Sequence, residues 1–303
     1  MVEGQYPECA LKVRSVRAGR ALLIEGSLAR FLQGHNVFGS VRLGALCREV
    51  LERVTQALGI EPSDADRRAW ERGQIRLQRV DITRSFRVGN PDIALRICRE
   101  IAFCLLERGW KIASEYEWET IYFRKRSRRY SWKFYVKGLH LQKYPLPVDL
   151  PMRERVLTYA RKLLRAELVL RSTELHDREL SWVRDWKGID LAGLWATKFA
   201  RLELRGTIRA PIPVAIRDQL SLNGKRAYQL WMDEHEVEDF FSAPTVRGLL
   251  KRFEGLGIDL GRPRPRKPRS QVPLQQLLRE ERLTRSYPTF AKGTPLFFKP
   301  FER

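Results

Sequence analysis

The chain has 303 residues, with 57 Lys and Arg against 36 Asp and Glu, which gives a formal net charge of +21 at pH 7. An apolar content of 43% is enough for a packed core and argues against wholesale disorder. The sequence has no apolar run of about 18 residues and no apolar secretory segment at its start, so we expect neither a membrane span nor export. Its four cysteines form no Cys-x-x-Cys pair, which argues against a zinc ribbon and favours a reducing, intracellular setting.

The first part of the chain predicts a strand pair, a loop and a helix. Residues 11–25 have the pattern of two short strands that turn near Gly19. Residues 27–40 are rich in glycine and polar groups and predict a loop. Residues 41–60 carry apolar side chains at spacings of three and four, which predicts an amphipathic helix that ends at Gly59.

The middle of the chain alternates strand and helix patterns. Strands are predicted from alternating and β-branched residues at 74–88, 114–125, 130–144 and 165–175. Helices are predicted from Pro91 onward and over residues 152–164. This order predicts an α+β fold, with an antiparallel sheet and packed helices.

Beyond residue 176 the pattern becomes helical. The clearest segments are residues 190–204, 224–241 and 242–260, with a shorter one at 276–283. The last two long helices could form a helix-turn-helix or an ordinary helical pair. We therefore predict three parts: a catalytic domain over residues 1–176, a helical DNA-binding region over 177–261, and a basic linker and tail over 262–303.

The positive charge points to a polyanionic partner, although a generic basic surface is the simpler alternative. Residues 123–135 interleave basic and aromatic side chains, which suits phosphates and unpaired bases. Residues 262–270 alternate Pro with basic residues and predict an extended linker along a phosphate backbone. The residues predicted to contact DNA are Arg124, Lys125, Arg126, Arg128, Arg129, Arg247, Lys251, Arg252, Arg262, Arg264, Arg266, Lys267 and Arg269.

Strand alternation predicts a cluster of functional side chains. Residues at i and i+2 share one face of a strand, so three neighbouring strands could place several polar residues on one surface. These residues are Asp81, Glu119, Glu167, Tyr135 and Lys137. Clustered carboxylates attract a divalent cation, and oxygen ligands suit Mg²⁺ or Mn²⁺. The alternative is a solvated strand face that carries charges of both signs.

A tyrosine beside such a metal is a candidate nucleophile. Its ordinary pKa of about 10 has to be lowered before it ionises at neutral pH, and a neighbouring lysine favours the phenolate. Attack on DNA would give a phosphotyrosyl ester, which conserves the phosphodiester energy for later rejoining. From the residues alone, the chain is a basic α+β protein that binds nucleic acid.

Several strings then occur in a defined order: FLQGHNVFG, LQRVDITRSF, YEWETIYF, KFYVKG and LLRAELVLRS. This set, over about residues 20–180, resembles the gene II/X family, the replication initiators of filamentous bacteriophages and some plasmids. The resemblance implies a replication initiator with a Rep-type, nickase-like catalytic domain. Such a protein nicks one strand of a double-stranded origin in a metal-dependent step, becomes joined to the 5′ phosphate, and later rejoins the displaced strand.

The resemblance also implies roles for individual residues. Tyr135 in KFYVKG matches the family's proposed nucleophile, and Lys137 matches its lysine two residues on. Asp81, Glu119 and Glu167 fall on acidic positions of the family, for which a metal role is an inference. His35 and Asn36 could shape the site or hold a loop. A host helicase, a single-strand binding protein and a bacterial cytoplasmic location are implied as well.

Two departures from the family bear on activity. The family has a longer N-terminal segment with at least one more strand, and its loss would leave the catalytic sheet incomplete. His140 stands where the family often has Glu, and strict alternation places it away from Tyr135 unless a bulge intervenes. The alternatives are a non-catalytic DNA-binding regulator or truncated antagonist, and an RNA-binding protein that stacks bases on Trp132 or Phe134.

Overall fold

The computed structural model describes residues 1–116, 118–205, 207–209, 217–233, 235–256, 271–284 and 287–299. The chain forms two compact units. The first joins residues 1–203 to the tail from residue 280 onward, and the second takes residues 204–279. Residues 262–270, the predicted basic linker, lie outside the described residues. Among the described helices, none combines the length and apolar content that a membrane crossing requires.

The N-terminal part of the first unit confirms the strand pair and the amphipathic helix. Its elements are β1 (Lys12–Val16), β2 (Ala21–Glu25), α1 (Leu28–Gln33), α2 (Leu43–Ala57) and α3 (Asp64–Glu71). The prediction of a loop over residues 27–40 was wrong in part, because α1 lies inside it. The Ser27 hydroxyl accepts a hydrogen bond from the Arg30 amide, and Phe31 and Leu32 supply buried apolar contacts.

A five-stranded antiparallel sheet with packed helices follows, which confirms the predicted α+β class. Its strand order is β3-β7-β6-β5-β4. The elements are β3 (Arg79–Arg87), α4 (Pro91–Glu107), β4 (Ile112–Glu115), β5 (Thr120–Phe123), β6 (Tyr130–Val136), α5 (Lys137–Lys143), α6 (Arg153–Ala160), β7 (Leu163–Arg171), α7 (Ser172–Asp177) and α8 (Leu191–Ala200).

Three predicted strands are broken in the structure. Residues 165–175 change from β7 to α7 after Arg171. Residues 114–125 form a hairpin of β4 and β5, because the chain turns through Tyr116 and Trp118, both with positive φ. Residues 130–144 change from β6 to α5 after Val136. A Cβ atom on Gly138 would lie only 2.9 Å from the Cα of Arg161, so glycine permits the close approach that this helix makes.

The two faces of the sheet differ in chemistry. One face is apolar: the rings of Trp132 and Phe134 are fully buried and contact Phe199 of α8. These rings therefore cannot stack on bases, which contradicts the feature on which the RNA-binding alternative depended. The opposite face carries polar residues in two neighbouring rungs, namely Thr83, Glu167, Lys133 and Tyr122 in one and Ser85, Arg165, Tyr135 and Thr120 in the other.

The tail returns to the first unit. The Thr284 amide donates to the Ser85 carbonyl at the edge strand β3, and Leu296 is fully buried in a cluster that includes Phe38 and Leu163. The predicted helix over residues 276–283 was wrong, because only a single turn (Leu274–Leu277) and a 3₁₀ turn (Glu280–Arg282) form there.

The second unit holds a small core of its own. It contains the strand pair β8 (Thr207–Arg209) and β9 (Gln271–Pro273), with helices α9 (Leu222–Met232), α10 (Ala243–Gly255) and α11 (Leu274–Leu277). Helices α9 and α10 pack together around Trp231, Leu249 and Phe253. The two helices were foreseen from the sequence, whereas a helix-turn-helix remains a prediction.

Candidate active site on the polar face of the sheet

The centre of the polar face is a hydrogen bond between Tyr135 and Glu167. The Tyr135 hydroxyl donates to Oε1 of Glu167 over 2.7 Å. The tyrosine is only 1% exposed, whereas the carboxylate is partly exposed. Burial, reinforced by the charge of Glu167, raises the pKa of Tyr135 well above its ordinary value. The phenol is therefore protonated at neutral pH, and Glu167 is placed to accept its proton.

Lys137 approaches Tyr135 from the start of a helix. Strand alternation had predicted a shared strand face, which was wrong because β6 ends at Val136 and Lys137 opens α5. Its Nζ still lies 5.7 Å from the centre of the Tyr135 ring and donates to Oδ1 of Asn36 over 2.8 Å. Burial and the charge of Arg165 lower the pKa of Lys137 well below its ordinary value.

Arg165 is a site residue that sequence reasoning missed. It lies directly opposite Tyr135 on β7 and is buried. Its guanidinium donates to the backbone carbonyls of Asn36 and Val37, and to the Ser85 hydroxyl over 3.1 Å. These bonds hold the loop after α1 against the polar face. The sequence signal that could have identified Arg165 is its position two residues before Glu167, because residues two apart in a strand lie on the same face.

His35 holds this loop, whereas Asn36 contacts the site. The Val37 amide donates to Nδ1 of His35 over 3.3 Å, so Nε2 carries the proton and donates to the Leu296 carbonyl over 2.9 Å. Burial lowers the pKa of His35 to about 3, so the ring is neutral. His35 and Asn36 were expected either to shape the site or to hold a loop. In the structure the His35 ring binds backbone groups of the loop and the tail, whereas the Asn36 side chain contacts Lys137.

His140 lies beside Tyr135, contrary to the expectation from strict alternation. The two ring centres are 4.8 Å apart, because α5 carries residue 140 back over the strand end. Burial, with the charge of Lys137, lowers the pKa of His140 to about 2. Its Nδ1 is buried and has no hydrogen-bond partner among the described residues. His140 is thus a neutral ring packed on the candidate nucleophile.

The three predicted metal ligands do not form a metal-binding group among the described residues. Only Glu167 contacts Tyr135, while Arg79 binds the Asp81 carboxylate through two bonds of 2.7 Å. Glu119 lies in the turn before β5 and accepts a bond of 2.5 Å from Lys143. No group of three or more His, Cys, Asp or Glu residues suited to a metal ion occurs in the described part of the chain. The basic partners relieve the repulsion that a cation was expected to relieve.

The predicted DNA contacts of the first unit lie in the turn between β5 and β6. Arg126 and Arg128 are exposed there. The other three contact neighbours in the same unit. Arg124 donates to the Tyr130 hydroxyl, Lys125 pairs with Glu115, and Arg129 pairs with Glu174 and Asp177.

The predicted DNA contacts of the second unit lie on helix α10, where Arg247, Lys251 and Arg252 are all exposed. The remaining predicted contacts lie outside the described residues: Arg262, Arg264, Arg266, Lys267 and Arg269.

Comparison with known proteins identifies the family of the chain. Residues 7–189 match the sequence family described as the N-terminal part of the phage gene II replication-associated protein. A replication-associated protein of the same kind, from Enterobacteria phage I2-2, is 27% identical over 257 residues, which cover 79% of this chain and 69% of that protein. No solved structure matches the chain. The family match spans the whole polar-face site as well as most of the first unit, so the chain belongs to the gene II family of filamentous phage replication proteins.

Proposed function

We propose that this replication protein nicks one strand of a double-stranded origin through Tyr135 and remains joined to the 5′ phosphate. It then rejoins the displaced strand at the end of a round of rolling-circle replication. The observation that carries the proposal is the 2.7 Å hydrogen bond from the Tyr135 hydroxyl to Glu167. This contact pairs a nucleophile of the type that forms phosphotyrosyl esters with a base that can accept its proton.

The chemistry follows from this pair. Glu167 takes the phenolic proton as the Tyr135 oxygen attacks the phosphorus. The bond from phosphorus to the 3′ oxygen breaks, and that oxygen takes up a proton to become the 3′ hydroxyl that primes synthesis. Lys133, with its Nζ 4.4 Å from the centre of the Tyr135 ring, adds positive charge where negative charge develops. Rejoining is the reverse reaction with a new 3′ hydroxyl.

Metal dependence stays a prediction, and no step is assigned to Mg²⁺ or Mn²⁺. Asp81 and Glu119 are paired with Arg79 and Lys143, and the described residues contain no group of three or more His, Cys, Asp or Glu suited to a metal ion, so this donor set does not fit a three-carboxylate metal site. The nicking assay is therefore run with Mg²⁺, with Mn²⁺ and with a chelator. Loss of nicking in the chelator would show that a cation, held by other ligands or by the DNA, is required.

The proposed partners are origin duplex and displaced single-stranded DNA, with a host helicase and a single-strand binding protein, in the bacterial cytoplasm. The net charge of +21 supports a polyanionic partner. Exposed arginines in both units, such as Arg128 and Arg247, supply side chains that can reach phosphates.

A second candidate function is a non-catalytic DNA-binding regulator or an antagonist of such an initiator. The observation that favours it is the enclosure of Tyr135, which is 1% exposed. A phenol that stays buried and protonated on DNA could not attack a phosphate.

The deciding experiment uses supercoiled plasmid that carries the intergenic DNA around the gene. Wild type, Tyr135→Phe and the matched variant Tyr130→Phe, from the same strand, are compared for relaxed circles and for a protein band that retains DNA after SDS. The proposal expects both products in wild type and Tyr130→Phe and neither in Tyr135→Phe. DNA binding without cutting by every protein would establish the regulator instead, and an adduct in Tyr135→Phe would exclude Tyr135 as the nucleophile.

A further inference from the structure

An aromatic cleft opens next to the candidate nucleophile. It encloses about 160 Å³, and Lys133 and His140 separate it from the buried Tyr135 ring. That volume corresponds to roughly five water molecules, which is the scale of one planar ring and far smaller than a base pair. Three tyrosines line it, and none of them belongs to the Tyr135–Glu167 pair: Tyr116, Tyr122 and Tyr144.

A row of packed rings, each tilted against the next, leads from Tyr135 to the cleft. The centre of the His140 ring lies 4.8 Å from that of Tyr135 and 4.8 Å from that of Tyr144, with interplanar angles of 40° and 33°. Tyr144 is 47% exposed, so the row ends at a ring that is open to solvent. A flat aromatic group that packed on Tyr144 would extend the row by one member.

Tyr116 completes the mouth of the cleft from the other side. It is 51% exposed, and Lys143 Nζ lies 3.3 Å from its ring centre. Its backbone has a φ of 53°, an uncommon conformation for a bulky side chain. Such conformations cluster at ligand clamps and active sites, because the surrounding structure has to hold them there.

A cation lies between the cleft and the nucleophile. Lys133 Nζ is 5.7 Å from the centre of the Tyr122 ring, which lines the cleft, and 4.4 Å from that of Tyr135. A phosphate bound at Lys133 would therefore lie beside Tyr135, while the base of the same nucleotide would reach the exposed tyrosines. Base–tyrosine stacking and a lysine for the phosphate are the combination by which proteins bind unpaired nucleotides.

We propose that this cleft binds one unpaired nucleotide next to the scissile phosphate, with its base stacked on Tyr144 and Tyr116 and its phosphate at Lys133. The site would then act on melted rather than fully paired DNA, because a base in a duplex is covered on both faces by its neighbours. This inference rests on the proposed function for the identity of the scissile phosphate. The binding of an unpaired nucleotide does not depend on cleavage.

The test measures binding of a fluorescent single-stranded oligonucleotide by anisotropy in a chelating buffer, with an SDS gel of each sample to check that the oligonucleotide has been neither cut nor joined to the protein. Tyr144→Ala is compared with Tyr144→Phe, which keeps the ring, and with Trp182→Ala, which removes an exposed ring elsewhere in the first unit. Loss of one base-stacking ring should weaken binding by about 5- to 150-fold. Tyr144→Phe and Trp182→Ala should bind like wild type, and no variant should change duplex affinity by more than about twofold.

The outcomes separate the two proposals. Equal single-strand affinity of Tyr144→Ala and wild type would overturn the nucleotide site, even if Tyr135→Phe abolishes nicking. A selective loss of single-strand binding in Tyr144→Ala would support the nucleotide site, even if wild type cuts no DNA. Equal weakening by Tyr144→Phe, or equal loss on duplex, would show that a ring-stacking contact is not responsible and would also overturn it.

Discussion

Lys133 lies directly opposite Glu167 across β6 and β7, one rung along from the pair formed by Tyr135 and Arg165. The carboxylate that accepts the Tyr135 hydrogen bond is therefore a diagonal neighbour of the tyrosine. The residue straight across from Tyr135 is an arginine that binds the loop after α1. This register places the proposed base Glu167, the proposed nucleophile Tyr135 and two basic side chains within one patch of the sheet.

The proposed role of Glu167 as a base predicts a selective loss of chemistry. Glu167→Gln keeps the shape of the side chain but cannot accept the phenolic proton. The rate of covalent adduct formation should fall by about 10²- to 10⁴-fold, while affinity for origin DNA stays near the wild-type value. Single-turnover adduct assays and anisotropy measure the two quantities. An unchanged adduct rate in a folded Glu167→Gln protein would assign the proton to another group.

The buried histidines predict a loss of stability in acid. An imidazole in the unfolded chain has a pKa near 6.5. In the folded protein, burial lowers the pKa of His35 to about 3 and that of His140 to about 2. The unfolded state therefore binds more protons in this window, and the free energy of unfolding should decrease as the pH falls from 6.5 towards 3. Each histidine contributes up to about 1.4 kcal/mol per pH unit.

Urea unfolding between pH 7 and pH 4 measures this slope. His35→Gln, which removes the buried imidazole, should flatten this slope. An equal slope in wild type and His35→Gln would contradict the assignment.

The tail should stabilise the first unit. Leu296 is fully buried, and its carbonyl accepts the hydrogen bond from His35. Leu296→Ala should lower the free energy of unfolding by about 2–5 kcal/mol through lost burial and the cavity it leaves. The matched change Val148→Ala, at a residue that is 81% exposed, should alter it by less than about 0.5 kcal/mol. Urea unfolding compares the two, and similar effects would mean that the tail does not pack as described.

The turn between β5 and β6 should contribute to phosphate binding. Replacing both Arg126 and Arg128 with Gln removes two exposed charges, which should weaken duplex affinity and lower the salt slope of binding by about 1.8. Arg155→Gln, an exposed arginine on α6, provides the control and should leave the slope near the wild-type value. Titrations at several salt concentrations measure it, and an unchanged slope in the double variant would place the DNA elsewhere.

The sequence by itself determined the α+β class, most helices, and the meeting of Tyr135 with Glu167. Local periodicity suffices for the first two, because a helix or strand with one buried face repeats its apolar residues at a fixed spacing. The contact of Tyr135 with Glu167 could be predicted because both residues lie within regular strands, where alternation fixes the face on which each side chain lies.

Only the tertiary structure showed where the alternation of side chains along β6 ends. Lys137 and His140 lie on a helix, and His140 returns to Tyr135 because the backbone ceases to be extended after Val136. It also decided the partners of the acidic residues. Asp81 and Glu119 are carboxylates like Glu167, but each forms an ion pair with a basic residue, Asp81 with Arg79 and Glu119 with Lys143. Pairings set by chain folding, such as Lys143 with Glu119, have no local pattern, and for that reason the predicted metal ligands did not converge.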